Sequence, residues 1–245
     1  METIGVIPAR LESQRLSHKL LRKILGKPLI QWTWESAKKA HLLDKLIVAC
    51  DSVQIERIVK DFGGEVVLTS SGHRSGSDRI AEVVGDIDAR VIVNIQADEP
   101  LIHPSIIDSL VSCMSDDYDL VMATVKKKID DIEEINDVNI VKVVTDKDNF
   151  ALYFSRLPIP FYRDKDKESI YYKHLGIYAY TKDFLYTFKN LPYSFLEEAE
   201  RLEQLRALEA GIKIKVIETN FDSWGVDTEE DLRKVERILS QKGYA

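Results

Sequence analysis

The chain has 245 residues, of which 44% are apolar and 31% are charged, and its net charge is −7 at neutral pH. This length suits one large α/β domain or two small ones, and the acidic balance disfavours a nucleic-acid-binding surface. The chain opens on no charged-then-apolar leader and has no apolar run of about 18 residues, so we expect neither secretion nor a membrane span. Cys50 and Cys113 stand alone, as expected of reduced thiols in a cytoplasmic protein, and predict neither a disulfide framework nor a zinc site.

The first distinctive stretch is an apolar, strand-like run at residues 4–9 that leads into a basic loop. Five cations face a single acid, Glu12, in this segment: Arg10, Arg15, Lys19, Arg22 and Lys23. A helix is predicted from Pro28, because proline suits a first helical turn. A buried strand followed by a basic loop and a helix is typical of phosphate sites in α/β proteins. The loop lacks the glycines of phosphate-binding motifs, so side-chain cations would hold the phosphate, unless this is an ordinary solvated loop.

Strand and helix patterns then alternate. Further strands are predicted at residues 45–51, 65–69 and 90–96. Each is followed by an amphipathic helix, the first of them capped by Asp51 or Ser52. Four strands alternating with four helices predict a doubly wound, mainly parallel sheet. Ligands of such sheets bind beyond the carboxyl ends of the strands. Four features should therefore meet in one cleft: Arg10, Asp51, the loop at Ser75, and Asp98.

The second half changes character, because its strand-like runs follow too closely for helical crossovers. They cover residues 120–129, 140–145 and 150–154 and predict hairpins. In the next run, period two places five residues on one face: Tyr172, His174, Gly176, Tyr178 and Tyr180. This face suits a polyhydroxy ligand, although an edge strand with an exposed polar side has the same pattern.

The last segments are predicted to be helix, strand and helix. A capping box at residues 194–197 predicts a helix to about Gly211, with Glu203 and Gln204 off its apolar stripe. A strand follows at residues 211–219, and a final helix begins near Thr228. No repeat or linker divides the chain.

Two aspartates suggest a metal site. Asp98 follows a predicted strand, and Asp227 precedes the last helix. Either residue alone reads more simply as a helix cap or a solvated turn. Together with phosphate oxygens, however, two carboxylates make a suitable Mg²⁺ site, since Mg²⁺ uses only one or two protein carboxylates. Cations at one end of a triphosphate and a metal at the reacting phosphorus are what phosphoryl or nucleotidyl transfer needs.

From end to end, the chain resembles a known family, the 3-deoxy-D-manno-octulosonate (Kdo) cytidylyltransferases, or CMP-Kdo synthetases. The opening motifs read Val6-Ile7-Pro8-Ala9-Arg10 and Ser13-x-Arg15-Leu16-x-x-Lys19. Further matches follow in order at residues 26–30, 75–79, 94–100, 141–144, 151–156, 174–178, 202–206 and 225–232. The segments at His174, at Glu203-Gln204 and at Gly225-Val226-Asp227 point to this family within its superfamily.

The resemblance implies the fold and the activity. The fold would be of the nucleotide-diphospho-sugar transferase type: an α/β domain over residues 1–245 with a mixed, mainly parallel sheet. Residues 1–118 would bind nucleotide, a small lobe within 119–220 would bind sugar and form a homodimer, and residues 221–245 would close the metal loop. The enzyme would couple CTP to Kdo, release pyrophosphate and supply CMP-Kdo for lipopolysaccharide biosynthesis in the cytoplasm, with Mg²⁺ as cofactor.

The resemblance also implies roles for individual residues. The catalytic set would be Arg10, Arg15, Lys19, Asp98 and Asp227, with the three cations on the triphosphate and the two aspartates on Mg²⁺. The cytidine would lie among Ser75, Gly76, Arg79 and Gln96. The sugar site would comprise Arg156, His174, Tyr178, Glu203 and Gln204, with Arg156 paired to the sugar carboxylate.

Two departures from the family pattern concern the backbone. Where the family has Pro-Gly before the loop lysine, this chain has Ser17-His18, which should change loop stiffness. Ala97 replaces a glycine, which is harmless if its φ is negative.

Other functions stay open from the sequence. A sister cytidylyltransferase for 8-amino-Kdo or a sialic-type acid would share most of these motifs. A non-catalytic nucleotide-sensing module is the non-enzyme alternative, and the intact Arg15, Lys19, Asp98 and Asp227 argue against it.

Overall fold

The computed structural model describes residues 2–13, 15–73, 75–164 and 169–241. The strands are β1 (Glu2–Ala9), β2 (Lys23–Ile24), β3 (Lys27–Pro28), β4 (Lys45–Cys50), β5 (Glu65–Leu68), β6 (Ala89–Asn94), β7 (Met122–Lys128), β8 (Lys142–Thr145), β9 (Ala151–Ser155), β10 (Tyr172–Thr181) and β11 (Lys215–Glu218). The helices are α1 (Leu29–Ala37), α2 (Val53–Asp61), α3 (Gly76–Val83), α4 (Pro104–Asp116), α5 (Ile132–Asn136), α6 (Lys182–Asn190), α7 (Phe195–Glu200), α8 (Leu205–Glu209) and α9 (Glu229–Gln241), with a 3-10 turn at Lys19–Leu21.

One mixed sheet organises the molecule. Its main path runs β11-β7-β10-β6-β1-β4-β5, and β8 joins β10 to β9. Strands β6, β1, β4 and β5 are parallel, whereas β10 is antiparallel to β6, β7 and β8. The predicted doubly wound sheet is confirmed, and so is a hairpin of β8 with β9. The prediction of a hairpin between the first two runs of the second half is wrong, because α5 separates β7 from β8 and β7 pairs with β10 and β11.

The apolar period of β1 explains why helices cover both faces. Ile4 and Val6 point into one core layer, and Ile7 and Ala9 into the other. Helices α1, α2, α4 and α9 close the layer of Ile7, and α3, α6 and α8 close the layer of Ile4. Each fully buried aliphatic side chain contributes about 1.5–3 kcal/mol. Both faces being covered, the carboxyl ends of the parallel strands remain as the natural site for a ligand.

The long helix predicted from residue 194 to about Gly211 is wrong. The segment is broken at Arg201, which has φ 56° and ends α7, and α8 begins only at Leu205. The two short helices are clamped by Glu197 and Arg206, whose Oε2 and Nε lie 2.7 Å apart in a buried ion pair. This tertiary contact outweighs local helix propensity. Gln204 consequently lies in the turn and is buried, not off the apolar side as predicted.

Smaller elements refine the prediction. Ser52, not Asp51, caps α2, since its side chain accepts a hydrogen bond from the N–H of Gln54. The β2–β3 hairpin and helices α5 and α6 were not predicted. None of the described helices is long and apolar enough to cross a membrane.

Candidate active site

A cleft of about 230 Å³ opens at the carboxyl ends of β1 and β6. Its lining residues are Pro8, Arg10, Glu12, Ser13, Lys19, Leu20, Gly76, Gln96, Ala97 and Asp98. The strand-end features predicted to converge do so here, with the exception of Asp51. That carboxylate accepts hydrogen bonds from the N–H of Leu11 and from the guanidinium of Arg79, so it supports the wall of the cleft.

Lys19 joins the two predicted metal ligands, although they are far apart in sequence. Its Nζ lies 2.6 Å from Oδ2 of Asp98 and 2.9 Å from Oδ1 of Asp227. Arg15 Nη2 lies 2.8 Å from the other oxygen of Asp227. Burial alone would lower the pKa of Lys19, but the charges and hydrogen bonds of both aspartates outweigh it and raise that pKa above its ordinary value. The site thus concentrates two carboxylates around a single cation.

The loop between β11 and α9 carries Asp227 and is fixed at several points. The N–H of Val226 donates to the carbonyl of Asp98 at 2.9 Å, which aligns the two aspartate segments. Ser223 Oγ donates to Oε2 of Glu99 at 2.6 Å. Asp222 is bound by Lys127 at 2.8 Å and by Lys173 at 2.9 Å. Contacts with β7, with β10 and with the segment that follows β6 therefore set the position of Asp227.

The predicted cytidine residues divide into two groups. Ser75 caps α3 in a full capping box with Asp78. Gly76 follows it, and a methyl group there would lie 3.2 Å from Cγ of Pro8, so glycine permits the close approach of α3 to the strand end. These two residues and Gln96 lie at or beside the cleft.

Arg79 is placed differently. Its side chain is fully buried, donates to Oγ1 of Thr69 at 2.5 Å and pairs with Asp51 at 3.1 Å. Burial lowers its pKa from the ordinary value for arginine. The guanidinium has no exposed surface and braces the strand ends behind the nucleotide cleft. The predicted place of Arg79 around the cytidine stays a prediction.

The predicted sugar face of β10 is more enclosed than its alternation suggested. The strand is irregular between Leu175 and Tyr178, and Thr124 Oγ1 of β7 lies 2.9 Å from Nε2 of His174. Burial lowers the pKa of His174 to about 3 and raises that of Tyr178 well above its ordinary value. Both side chains are therefore neutral at physiological pH. Tyr180, grouped with this face by period two, is instead buried in the core.

Glu203 and Gln204 lie beside this face. Ser77 Oγ donates to Oε2 of Glu203 at 3.2 Å, which joins the turn after α7 to the start of α3. Burial raises the pKa of the Glu203 carboxyl. The side-chain nitrogen of Gln204 is buried and has no hydrogen-bond partner in the described protein. A buried amide donor without an acceptor costs free energy, so this nitrogen marks a position where a ligand oxygen would be stabilising.

Arg156 is bound to backbone and carboxylate oxygens of other segments. Its guanidinium donates to the backbone carbonyls of Glu200 at 2.7 Å and Val138 at 2.9 Å. The backbone N–H of Arg156 donates to the Glu200 carboxylate at 3.0 Å. These contacts tie the end of β9 to the end of α7. Its predicted pairing with the sugar carboxylate stays a prediction.

Glu99 is the site residue that sequence reasoning missed. Burial raises the pKa of its carboxyl to about 7, although Ser223 opposes this shift through its hydrogen bond. The signal available in the sequence was its place beside Asp98 at a strand end.

The two departures from the family pattern have different outcomes. His18 has φ 50°, the left-handed conformation in which a glycine is unstrained. Ala97 is not among the residues with positive φ, so its replacement of glycine is without strain.

The positions of Asp98 and Asp227 fit a Mg²⁺ ion that also binds phosphate oxygens and waters. In the described residues no group of three or more His, Cys, Asp or Glu side chains is arranged to hold a metal. The two carboxylates nevertheless both lie within hydrogen-bond distance of one cationic nitrogen. Two hard oxygen donors around one cation fit Mg²⁺ when phosphate oxygens and waters complete its shell.

A second cavity, of about 270 Å³, contains none of the predicted site residues. It lies among the side chains of Trp32, Glu35 and Lys39 and the segment before α4.

Comparison with known proteins identifies the family of this site. The cytidylyltransferase family model matches residues 4–214. The 3-deoxy-manno-octulosonate cytidylyltransferase of Solibacter usitatus (strain Ellin6076) is 48% identical over 236 residues, which cover 96% of this chain and 94% of that protein. The structure of CMP:2-keto-3-deoxy-manno-octonic acid synthetase complexed with CTP is similar with a TM-score of 0.94 at 41% identity, covering 99% of this chain and all of that one.

A more distant structure shares the fold alone. It is a cytidylyltransferase from Leptospira borgpetersenii with a TM-score of 0.65 and 17% identity, covering 98% of this chain and 87% of that one. The near relatives, by contrast, match over essentially the whole length of both chains. The chain therefore belongs to the cytidylyltransferase family, and within it to the 3-deoxy-manno-octulosonate cytidylyltransferases.

Proposed function

We propose that this protein transfers CMP from CTP to the anomeric hydroxyl of Kdo, giving CMP-Kdo and pyrophosphate. The observation that carries the proposal is the meeting of Asp98 and Asp227 on one cation, beside Arg15, at the end of a parallel sheet. Phosphoryl and nucleotidyl transfer use both parts together: cations on the phosphates and a metal ion held by carboxylates. The family of the chain selects nucleotidyl transfer.

The chain's own residues bind and orient rather than react covalently. Arg10, Arg15 and Lys19 would neutralise the triphosphate, and Asp98 and Asp227 would hold Mg²⁺. That ion would lower the pKa of the attacking hydroxyl and offset charge on the α-phosphate. Lys19 contacts both carboxylates, and the third donor of its ammonium would be free to reach phosphate. Positioning and charge stabilisation would supply the rate enhancement.

The neutral state of His174 supports its role as a sugar-binding group rather than a base. With a pKa of about 3, its imidazole would be a poor proton acceptor at neutral pH. Its ring is also positioned by Thr124 at 2.9 Å. Together with the unpartnered amide nitrogen of Gln204, it would hydrogen-bond a polyhydroxylated acid.

The test is pyrophosphate release from CTP with a panel of sugar acids: Kdo, 8-amino-Kdo and N-acetylneuraminate, with and without Mg²⁺. Kdo is expected to be used best, since polar sites reject ligands that leave buried groups unpaired. Higher activity with 8-amino-Kdo or N-acetylneuraminate would overturn the choice of sugar but leave cytidylyl transfer standing. No pyrophosphate release with any acid would instead favour the nucleotide-sensing alternative.

Arg156 is tested in the same assay with the variants Arg156→Ala and Arg156→Lys. If it pairs with the sugar carboxylate, both variants should raise the KM for Kdo and leave CTP affinity within about a factor of three. Equal weakening of CTP and Kdo binding would assign Arg156 to the carbonyl contacts that hold β9 and α7 together.

The predicted homodimer and cytoplasmic location remain part of the proposal. Apolar side chains stand exposed near the edge strand β9, among them Leu152, Leu157 and Phe161, the last 88% exposed. A second copy of the chain would cover them. Sedimentation of the protein and of Phe161→Asp tests this: a wild-type monomer at micromolar concentration would contradict it.

A further inference from the structure

The carboxylate of Glu99 has one satisfied oxygen and one that faces the predicted sugar site. Oε2 accepts a hydrogen bond from Ser223 at 2.6 Å. Oε1 faces Gly176 on β10: a methyl group at that glycine would lie 3.6 Å from Oε1 and 3.8 Å from Cγ of Gln96. Among the described residues no donor is hydrogen-bonded to Oε1. An oriented acceptor thus lies between the nucleotide side of the cleft and the strand that carries His174.

Gly176 explains why this oxygen is reachable. It is flanked along the strand by His174 and Tyr178, both part of the predicted sugar face. The distances of 3.6 and 3.8 Å are ordinary van der Waals contacts, so an alanine would fit without displacing the backbone. A methyl group would nevertheless fill the space directly over the carboxylate. The missing side chain therefore leaves room for a ligand atom beside Glu99.

The chemistry of that ligand atom follows from the charges nearby. Glu99 adjoins Asp98, and the charges of Glu99 and Glu203 both act on Tyr178. A second carboxylate, such as that of the sugar acid, would be repelled from this position. A hydroxyl group, by contrast, donates a hydrogen bond to a carboxyl oxygen such as Oε1.

From this geometry we propose that Glu99 is a specificity-determining residue that accepts a hydrogen bond from a hydroxyl group of the sugar acid. Ser223 orients the carboxylate by holding its other oxygen, and Gly176 leaves the space that the hydroxyl occupies. The proposal rests on the proposed function, since it names how the same site distinguishes one sugar acid from another. It adds a contact that the family motifs at His174 and Glu203 do not include.

The experiment compares wild type, Glu99→Ala, Glu99→Gln and Gly176→Ala with Kdo and a set of monodeoxy Kdo analogues, each lacking one hydroxyl. In wild type, loss of the hydroxyl that Glu99 binds should lower kcat/KM by at least about tenfold. In Glu99→Ala that penalty should shrink to less than about threefold, because the partner is already gone. Penalties for the other hydroxyls should be unchanged.

Gly176→Ala provides an independent arm that leaves the carboxylate in place. It should raise the KM for Kdo by at least about fivefold and leave CTP binding and thermal stability near wild type, since the methyl fits the fold but not the bound sugar. Ser223→Ala should give a smaller effect on the same hydroxyl. If the Glu99 variants do not fold, the proposal is tested with Gly176→Ala and the analogue panel, in which the penalty for losing the hydroxyl that Glu99 binds should shrink.

Two results would overturn the proposal. One is an unchanged penalty for every monodeoxy analogue in Glu99→Ala and Gly176→Ala. The other is a fall in kcat with a raised Mg²⁺ requirement and no change in sugar discrimination, which would assign Glu99 to holding the Asp227 loop. Failure of wild type to use Kdo would refute the proposed function instead. The same comparison of variants would then be made with deoxy analogues of the sugar acid that the enzyme uses.

Discussion

The ammonium of Lys19 holds together two carboxylates from distant parts of the chain, Asp98 and Asp227. Side chains 79 and 208 residues away from it in sequence come within 2.9 Å of one nitrogen atom. This makes Lys19 both a phosphate-binding candidate and the counter-charge of Asp98 and Asp227. The two tasks are compatible, because the ammonium has three donors and the carboxylates use two of them. Loss of the cation and loss of a carboxylate nevertheless remove different things, a phosphate contact and a metal ligand. Substitutions at the three positions should therefore have different signatures.

Replacing either aspartate should remove turnover and keep the fold. Asp98→Ala and Asp227→Ala are each expected to lose at least ~10²-fold in kcat, because each removes a ligand of the ion that stabilises transition-state charge. The measurement is pyrophosphate release over a range of Mg²⁺ concentrations. Asp61→Ala, at the exposed end of α2, is the control and should match wild type. Near-normal turnover of either site variant at limiting Mg²⁺ would refute the metal assignment.

Replacing the cations should weaken CTP binding selectively. Arg15→Ala and Lys19→Ala are each expected to cost ~1.5–3 kcal/mol in CTP affinity, the worth of a charge-assisted contact. Cytidine binding should barely change, since cytidine has no phosphate. Calorimetric titration with CTP and cytidine measures both, and Lys189→Ala, an exposed lysine in the last turn of α6, is the control. Equal losses for the two ligands would show that the loop has collapsed rather than lost a phosphate contact.

Among the structural elements, the segment between β11 and α9 depends on a charge arrangement in the sheet. Lys127 of β7 and Lys173 of β10 are directly paired across the strands, where like charges repel. Asp222 lies between them, 2.8 Å from one ammonium and 2.9 Å from the other. Burial alone would raise the pKa of Asp222, but the two lysines outweigh it and lower that pKa below its ordinary value. The strands thereby fix the loop five residues before Asp227.

Removing this anchor should loosen the second aspartate without touching it. Asp222→Asn is expected to raise the Mg²⁺ concentration for half-maximal activity at least about threefold and to destabilise the protein by about 1–3 kcal/mol, because two lysines lose their shared partner. Mg²⁺ titration of activity and urea unfolding measure the two effects.

Asp130→Asn is the matched control for Asp222→Asn. Asp130 also contacts Lys127, at 3.2 Å, but its side chain is 73% exposed against 26% for Asp222. Exposed ion pairs contribute little, so this variant should resemble wild type in both measurements. If Asp222→Asn shifts stability but not the Mg²⁺ requirement, the anchor stabilises the sheet alone.

For the whole molecule, sequence reasoning succeeded where a local pattern decides the structure. The apolar period of β1 and the runs around β4, β5 and β6 are buried on both faces, so their strand character and parallel order follow from the chain itself. The meeting of Lys19 and Asp98 is consistent with that order, because Lys19 lies in the loop that follows β1 and Asp98 in the segment that follows its neighbour β6.

Prediction failed where a distant partner decides. The Glu197–Arg206 pair holds together two short helices where local propensity favoured one long helix, and Asp51 pairs with the buried Arg79. Glu99 acquires its orientation from Ser223, 124 residues away. No periodicity encodes such contacts. The sheet brings Asp51 to Arg79 and Glu99 to Ser223, whereas Glu197 meets Arg206 because the chain turns at Arg201.

His174 of β10 is enclosed by Thr124 of β7 and Phe154 of β9. Its burial should make the free energy of unfolding of the whole protein sensitive to acid. Its pKa is about 3 in the folded protein, against about 6.5 for an unfolded histidine. Between these values the unfolded chain binds a proton that the folded protein does not. Stability is therefore fully present above about pH 6.5 and falls as the pH drops towards 3, by up to about 1.4 kcal/mol per pH unit.

Urea unfolding at pH 7 and pH 5 tests this with His174→Gln, whose side-chain amide can still hydrogen-bond Thr124 Oγ1. Wild type should lose about 2 kcal/mol more than this variant between the two pH values, because glutamine does not titrate. His41→Gln removes an exposed histidine and should keep the wild-type pH dependence. An equal loss in wild type and His174→Gln would mean that the imidazole is protonated in the folded protein at pH 5, and that water or a counter-charge reaches the face of β10 on which the sugar is proposed to bind.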